Sequence, residues 1–124
     1  MEAITTENAP AAVGPYSQAV RTGNLLFVSG QLPIDPKTGK MQEDMLHQMQ
    51  QCLENVEAIA LAAGTSLSKT VKTTVLVTDL SRFNDFNEVY GRAFKAPYPA
   101  RACYEVSALP RGAMVEIEAV IALD

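Results

Sequence analysis

Pro97-Tyr98-Pro99-Ala100-Arg101-Ala102-Cys103-Tyr104-Glu105-Val106, continued by Ser107-Ala108-Leu109-Pro110-Arg111-Gly112-Ala113-Met114-Val115-Glu116-Ile117-Glu118, is the stretch that decides the reading of the chain. Pro97 and Pro99 stop any preceding helix and force extended backbone, so Arg101 opens a strand. From there the pattern has period two. Arg101, Cys103 and Glu105 share one face, and the more apolar Ala102, Tyr104 and Val106 share the other, which places Arg101 away from the packed side. Pro110-Arg111-Gly112 breaks this strand. A second strand then puts Val115, Ile117, Ala119, Ile121 and Leu123 on one face and Glu116, Glu118 and Val120 on the other. The two strands are expected to form a hairpin, with Arg101 and Glu116 together on its non-core side. On residue types alone, such a pair reads first as a solvated surface ion pair of little energetic weight.

Upstream of this stretch the chain alternates strand and helix patterns. Ser17–Arg21 and Leu25–Ser29 flank the turn residues Thr22-Gly23-Asn24, a hairpin signal. Gly30 ends the second strand, either as a simple strand-end glycine or as a place where a ligand or another backbone comes close. Asp35-Pro36-Lys37-Thr38-Gly39 is a turn by composition. From Glu43 to Ala63 the period changes: Met45, Met49, Cys52, Leu53, Val56, Ile59 and Ala60 recur at helical steps, with Gln48, Gln51, Glu54 and Glu57 largely between them. Glu43 and Asp44 suit the first turn of this helix and Gly64 its left-handed stop. Thr70–Thr78 alternates as a central strand, with Val71, Thr73, Val75 and Val77 on one side. Asp79 or Ser81 caps a second helix with Phe83, Phe86, Tyr90 and Phe94 as its stripe and Asn87 beside it. The sum is a single α+β domain over residues 1–124, a mixed sheet with two helices on one face. The other face then carries Leu25, Phe27, Cys103 and Val120 among polar groups, which self-association would cover.

Composition narrows the function classes. With 48% apolar and 19% charged residues the chain folds, and its 124 residues are too few for two cores. A net charge of −4 and no run of Lys or Arg argue against a nucleic-acid surface. Met1–Glu7 lacks the features of a signal peptide and no apolar run is long enough to span a membrane, so a cytoplasmic protein without a membrane partner is expected. Cys52 and Cys103 have no neighbours at metal-ligand spacing, so neither a disulfide framework nor a metal site is expected. His47, the single histidine, falls on the surface of the first helix.

The run Pro99-Ala100-Arg101-Ala102-Cys103-Tyr104-Glu105-Val106, with Leu109-Pro110 and Val115-Glu116-Ile117-Glu118-Ala119, resembles the signature of the Rid family, the YjgF-type reactive intermediate deaminases. Asn8–Ala19, Val28-Ser29-Gly30-Gln31-Leu32-Pro33 and Val71–Val75 resemble further family blocks, so the likeness covers essentially the whole chain. A short Lys95-Ala96-Pro97-Tyr98 approach to the motif departs from the family pattern outside these blocks. The resemblance implies a chorismate-mutase-like fold, a homotrimer packed through its open sheet faces, and ligand clefts between neighbouring subunits. It implies RidA-like hydrolysis of 2-iminobutanoate and 2-iminopropanoate, or their enamine tautomers, to 2-oxo acids and ammonia. The family's carboxylate-binding arginine falls on Arg101 and its acidic residue on Glu116, while Tyr16, Ser29, Gly30, Asn87 and Cys103 fall on other cleft positions.

The chemistry of these residue types fits that assignment. A guanidinium grips a carboxylate through two parallel hydrogen bonds and fixes the adjoining plane, and a carboxyl group beside it can hold water or move a proton. Cys103 invites a covalent reading, but no His, Lys or helix start is placed to lower its pKa. Neither Lys69 nor Lys72 lies in a family block, so a Schiff base is unsupported, and the absence of a nucleotide fingerprint or phosphate loop leads to no cofactor being expected. Two other classes stay open: a non-catalytic 2-oxo acid sensor that uses the same arginine, and a ribonuclease or translation inhibitor, which the acidic charge disfavours.

Overall fold

The computed structural model describes residues 1–124 and begins with an antiparallel meander of β1 (Glu2–Ile4), β2 (Ala19–Thr22) and β3 (Leu25–Gln31). The expected hairpin is present. Thr22 lies opposite Leu25, and Gly23 supplies the positive φ of 57° that the tight turn between them needs. The edge strand β1 has no counterpart in the sequence reading. Helix α1 (Met45–Ala62) follows, buried along Met49, Cys52, Val56 and Ile59. Asp44 caps it by accepting the His47 N–H at 3.1 Å, so Glu43 and Asp44 precede the first turn and do not lie within it. Gly64, at φ 84°, ends it as expected.

Next come β4 (Thr70–Val77), α2 (Phe83–Ala93), β5 (Ala100–Glu105) and β6 (Val115–Ala122). Asp79 caps a short 3-10 turn at Leu80–Arg82 that leads into α2. The sheet order is β1-β2-β3-β6-β4-β5, parallel only between β4 and β5 and therefore mixed. The expected hairpin between the last two strands does not form. β6 is buried along Val115, Ile117, Ala119 and Ile121 and takes the middle of the sheet between β3 and β4, while β5 is left at the edge. The α2 crossover delivers β5 parallel to β4, as a helix connection between neighbouring strands does.

Both helices pack on one face, where α1, α2 and the inward residues of β3, β4 and β6 share one core cluster of 23 residues. Phe86, Leu26, Met49, Ile59 and Ile117 are its largest fully buried members. Val71 was expected on the inward face of β4, but a register shift between Thr70 and Lys72 leaves it outside, 48% exposed. Gln48 and Asn55, read as a polar and an unassigned helix position, are both buried.

The register also corrects the faces of β5. Arg101, Cys103 and Glu105 stand beside Thr73, Val75 and Val77, which point to the helices. Arg101 and Cys103 therefore lie on the helix side. Tyr104 faces the opposite side, where Phe27 is 41% and Tyr104 57% exposed, with Val20, Leu25 and Val120 around Phe27. The uncovered face is thus present, without Cys103.

Candidate functional site

The predicted residues fall into two groups on opposite faces of the sheet. Arg101, Asn87 and Cys103 form the first. Arg101 leans from the edge strand onto α2, where its Nη1 donates to Asn87 Oδ1 at 2.6 Å. Its Cζ stands 4.8 Å from the ring centre of Tyr90 and 5.4 Å from that of Phe83. Of the ion pairs in the chain, formed by Arg21, Arg82 and Arg92, none uses Arg101. The guanidinium opens on a hollow of about 480 Å³ lined also by Tyr90, Gly91, Tyr98 and Pro99. An arginine with one polar partner, two aromatic walls and no ion-pair partner has donors free that can receive an anion. Cys103 is partly buried against the core, and burial pushes its thiol up despite the nearby Arg101 charge. That environment keeps it a thiol, not a nucleophilic thiolate.

Glu116, Gly30 and Tyr16 form the second group, while Ser29, next to Gly30 on β3, lines a separate hollow with Ser17, Phe27 and Val120. The pairing of β3 with β6 shifts between Val28 and Gln31, which puts Ser29 and Gly30 at an irregularity in the strand. Ser29 Oγ donates to the Ser17 carbonyl at 2.6 Å and ties this point to the segment before β2. Glu116 lies directly over Gly30: its Cδ stands 2.8 Å and its Cγ 3.2 Å from where a Cβ on residue 30 would be. The glycine is needed for that close approach. Burial, and after it the charge of Glu118, raises the Glu116 pKa above the ordinary carboxylate range. A cavity of about 530 Å³ beside Glu116 is lined by Tyr16, Gly30, Leu32, Ile34, Pro110 and Arg111 among others. A carboxyl group whose pKa is raised by burial at the wall of such a cavity is suited to holding and passing on a proton.

Arg101 and Glu116 do not meet within one chain, contrary to the hairpin reading. Glu116 is in register with Leu76 and Arg101 with Thr73, and successive residues of β4 point to opposite faces. No group of three or more His, Cys, Asp or Glu side chains gathers anywhere in the chain, and no helix is long and apolar enough to cross a membrane.

Residues 6–123 match the family model described as endoribonuclease L-PSP. The chain belongs to the YjgF/RidA, or Rid, family. Among its relatives, the RutC family protein y4sK of Sinorhizobium fredii is 66% identical over 124 residues, which cover 99% of this chain and 98% of that protein. A Salmonella typhimurium protein named 2-iminobutanoate/2-iminopropanoate deaminase is 51% identical over 120 residues, 94% of each. The crystal structure of E. coli TdcF with bound serine superposes with a TM-score of 0.94 at 43% identity, covering 98% of both chains. Rid-family names thus include both deaminase and endoribonuclease.

Several residues that shape these hollows had no assignment from sequence. Gln18 is buried and its amide bonds to the backbone oxygens of Thr6, Ala9 and Pro10, while its Oε1 accepts the Thr6 N–H at 2.7 Å. It holds the irregular segment that carries Tyr16. From α1, Asn55 Nδ2 donates to the carbonyls of Leu32 and Ile34, both at 3.0 Å, and so fixes another wall of the Glu116 cavity. Their only sequence signal was an amide among apolar neighbours, which a buried position obliges to find partners. Arg111 takes a left-handed φ of 59° and reaches Gly39 O at 3.2 Å at the rim of the same cavity.

Proposed function

We propose that the chain, as one domain over residues 1–124, is a hydrolytic deaminase of small 2-imino acids and their enamine tautomers, 2-iminobutanoate and 2-iminopropanoate among them. The observation that carries this reading is Arg101: a guanidinium with no acidic partner, fixed on α2 and opening on a hollow. Every 2-imino acid offers the carboxylate that such a group binds. The Salmonella relative named for this activity supports the choice of substrate, and the serine in the TdcF relative supports a ligand that carries a carboxylate.

Three copies, packed through the uncovered sheet face around Phe27 and Tyr104, would bring the Arg101 side of one subunit to the Glu116 side of the next. Arg101 then holds the substrate carboxylate and sets the plane of the iminium. Asn87 keeps the guanidinium in place, while Tyr16, Ser29, Gly30 and Cys103 wall the cleft. Water adds to the imine carbon with loss of a proton to Glu116. Glu116 returns that proton to the carbinolamine nitrogen, the C–N bond breaks to release ammonia, and Glu116 takes up the hydroxyl proton as the carbonyl forms and passes it to the ammonia, so that a 2-oxo acid and ammonium leave. The raised pKa of Glu116 suits these transfers. No cofactor, nucleic acid or membrane takes part, and the cytoplasm, where such imines arise, is the proposed location.

The endoribonuclease description of the family does not fit the charge of this chain. At −4, without a run of Lys or Arg, it lacks the field that draws phosphate backbones. Coupling the purified protein to a threonine dehydratase and following 2-oxobutanoate tests the proposal. Faster release than spontaneous hydrolysis supports it. Tight 2-oxobutanoate binding without acceleration would make the protein a sensor.

A further inference from the structure

We propose that Tyr90, with Phe83 opposite, is a positioning residue that fixes the plane of the Arg101 guanidinium before any ligand arrives, and that Thr73 in turn fixes Tyr90. This rests on the reading of Arg101 as the carboxylate-binding group. Phe83, Asn87 and Tyr90 follow one another at steps of four and three residues and so form one stripe on α2. Seven residues of helix rise roughly 10 Å. The guanidinium carbon, 5.4 Å from one ring centre and 4.8 Å from the other, therefore fits between the two rings, with the Asn87 amide at the floor of the slot.

Both walls are braced from behind. Phe83 meets the fully buried Phe86 edge-on, with ring centres 5.0 Å apart. Tyr90 is buried, packs on Phe94 at 4.7 Å and shares a buried hydrogen bond of 2.7 Å between its hydroxyl and that of Thr73. Thr73 is also the register partner of Arg101 on the adjacent strand. The tip of the ring and the stem of the arginine thus hang from neighbouring strand positions. An arginine on an exposed edge strand would otherwise sample many rotamers, and two-point recognition of a carboxylate needs its fork held in one plane. Asn87 occupies one N–H, and the rest of the fork is left for the ligand.

The test compares Tyr90→Leu and Tyr90→Phe with wild type, each checked for thermal melt and oligomer mass. Calorimetric titration with 2-oxobutanoate, dehydratase-coupled kinetics and NMR order parameters of the Arg101 Nε–H supply the readouts. Tyr90→Leu should weaken binding on the order of tenfold, raise KM more than it lowers kcat, and reduce the Nε–H order parameter without ligand. Tyr90→Phe, which keeps the ring, should recover most of the loss. Placed on an Arg101→Lys background, Tyr90→Leu should cost nothing further, because its effect passes through the guanidinium. A folded Tyr90→Leu with unchanged affinity and order parameter, or a loss that simply adds to that of Arg101→Lys, overturns the proposal. Should Tyr90→Leu not assemble, Thr73→Val tests the same claim through a lower Nε–H order parameter and a loss of about threefold, and no change refutes it. If Arg101→Ala binds 2-oxobutanoate as wild type does, the carboxylate reading itself fails. The wild-type Nε–H order parameter, compared with that of Tyr90→Leu, then still decides the positioning: a drop upholds it and no drop sinks it.

Discussion

Gly30→Ala inserts one methyl group at the point where the sheet and the carboxylate of Glu116 come closest. The backbone of Gly30 does not lie in the left-handed region, so alanine meets no conformational strain there. The obstacle is the Glu116 side chain, with Cδ 2.8 Å and Cγ 3.2 Å from the new Cβ, against roughly 3.5–4.0 Å for an ordinary carbon contact. The carboxylate must therefore retreat by about 1 Å, and a displacement of that size at a reacting group costs on the order of a hundredfold in rate. Stability should change much less. Glu116 is only half-buried and can rotate, and overpacking of about 1–3 kcal/mol is partly offset by about 0.4–1 kcal/mol from the stiffer unfolded chain. Dehydratase-coupled turnover, measured beside a thermal melt and oligomer mass, checks both halves. An assembled Gly30→Ala protein with wild-type kcat would show that the position of the Glu116 carboxylate does not matter.

Arg101→Lys keeps the charge and loses the planar fork, so kcat/KM for imine hydrolysis should fall by roughly a hundredfold or more with little change in melting temperature; near-wild-type kinetics would mean that a generic cation suffices. Cys103→Ser should keep substantial deaminase activity, because burial holds this thiol in its protonated form, and a loss matching that of Arg101→Lys in assembled protein would restore the covalent reading. The raised pKa of Glu116 gives a pH signature. The folded chain keeps a proton that the unfolded chain has already lost, so this group's contribution to stability falls as pH rises from the ordinary carboxylate range to the raised value. Glu116→Gln lacks that titrating group, and the stability of wild type minus variant should fall across that interval and level off above it; a flat difference in denaturant titrations would contradict the desolvated carboxylate.

Local pattern carried most of the fold. The helical period with Gly64 as its stop gave α1 to within two residues of its end, and the short turn at Gly23-Asn24 marked the β2–β3 hairpin. The three residues of β1 carry no pattern long enough to show. Strand pairing was where the reading failed, because proximity in sequence favours a hairpin while burial on the α1 side favours β6 in the centre of the sheet. The face of Arg101 failed for a related reason. Tyr104 and Ala102 are the more apolar set of β5, but on an edge strand they face the uncovered side, while α2 receives Arg101 on an aromatic slot. Alternation names the two faces of a strand; which of them is packed depends on what the neighbouring strand and helix bring. Of the positions that the Rid-family resemblance implied, Arg101 and Asn87 line one hollow and Tyr16, Gly30 and Glu116 the other, and the expected hairpin would have joined the two wrongly within one chain.

Because Arg101 and Glu116 lie on opposite faces of one sheet, the proposed site is whole only between subunits, and subunit mixing tests that most directly. Arg101→Ala and Glu116→Gln proteins, each prepared as an assembled and inactive oligomer, are unfolded together at equal amounts and refolded. In a head-to-tail ring each cleft takes its arginine from one chain and its carboxylate from the next, so about a quarter of the clefts in a random mixture regain both groups. The expected result is recovery of roughly a quarter of wild-type deaminase activity from two inactive parents. Activity no higher than the average of the parents, in mixed oligomers shown to have formed, would contradict a site shared between chains.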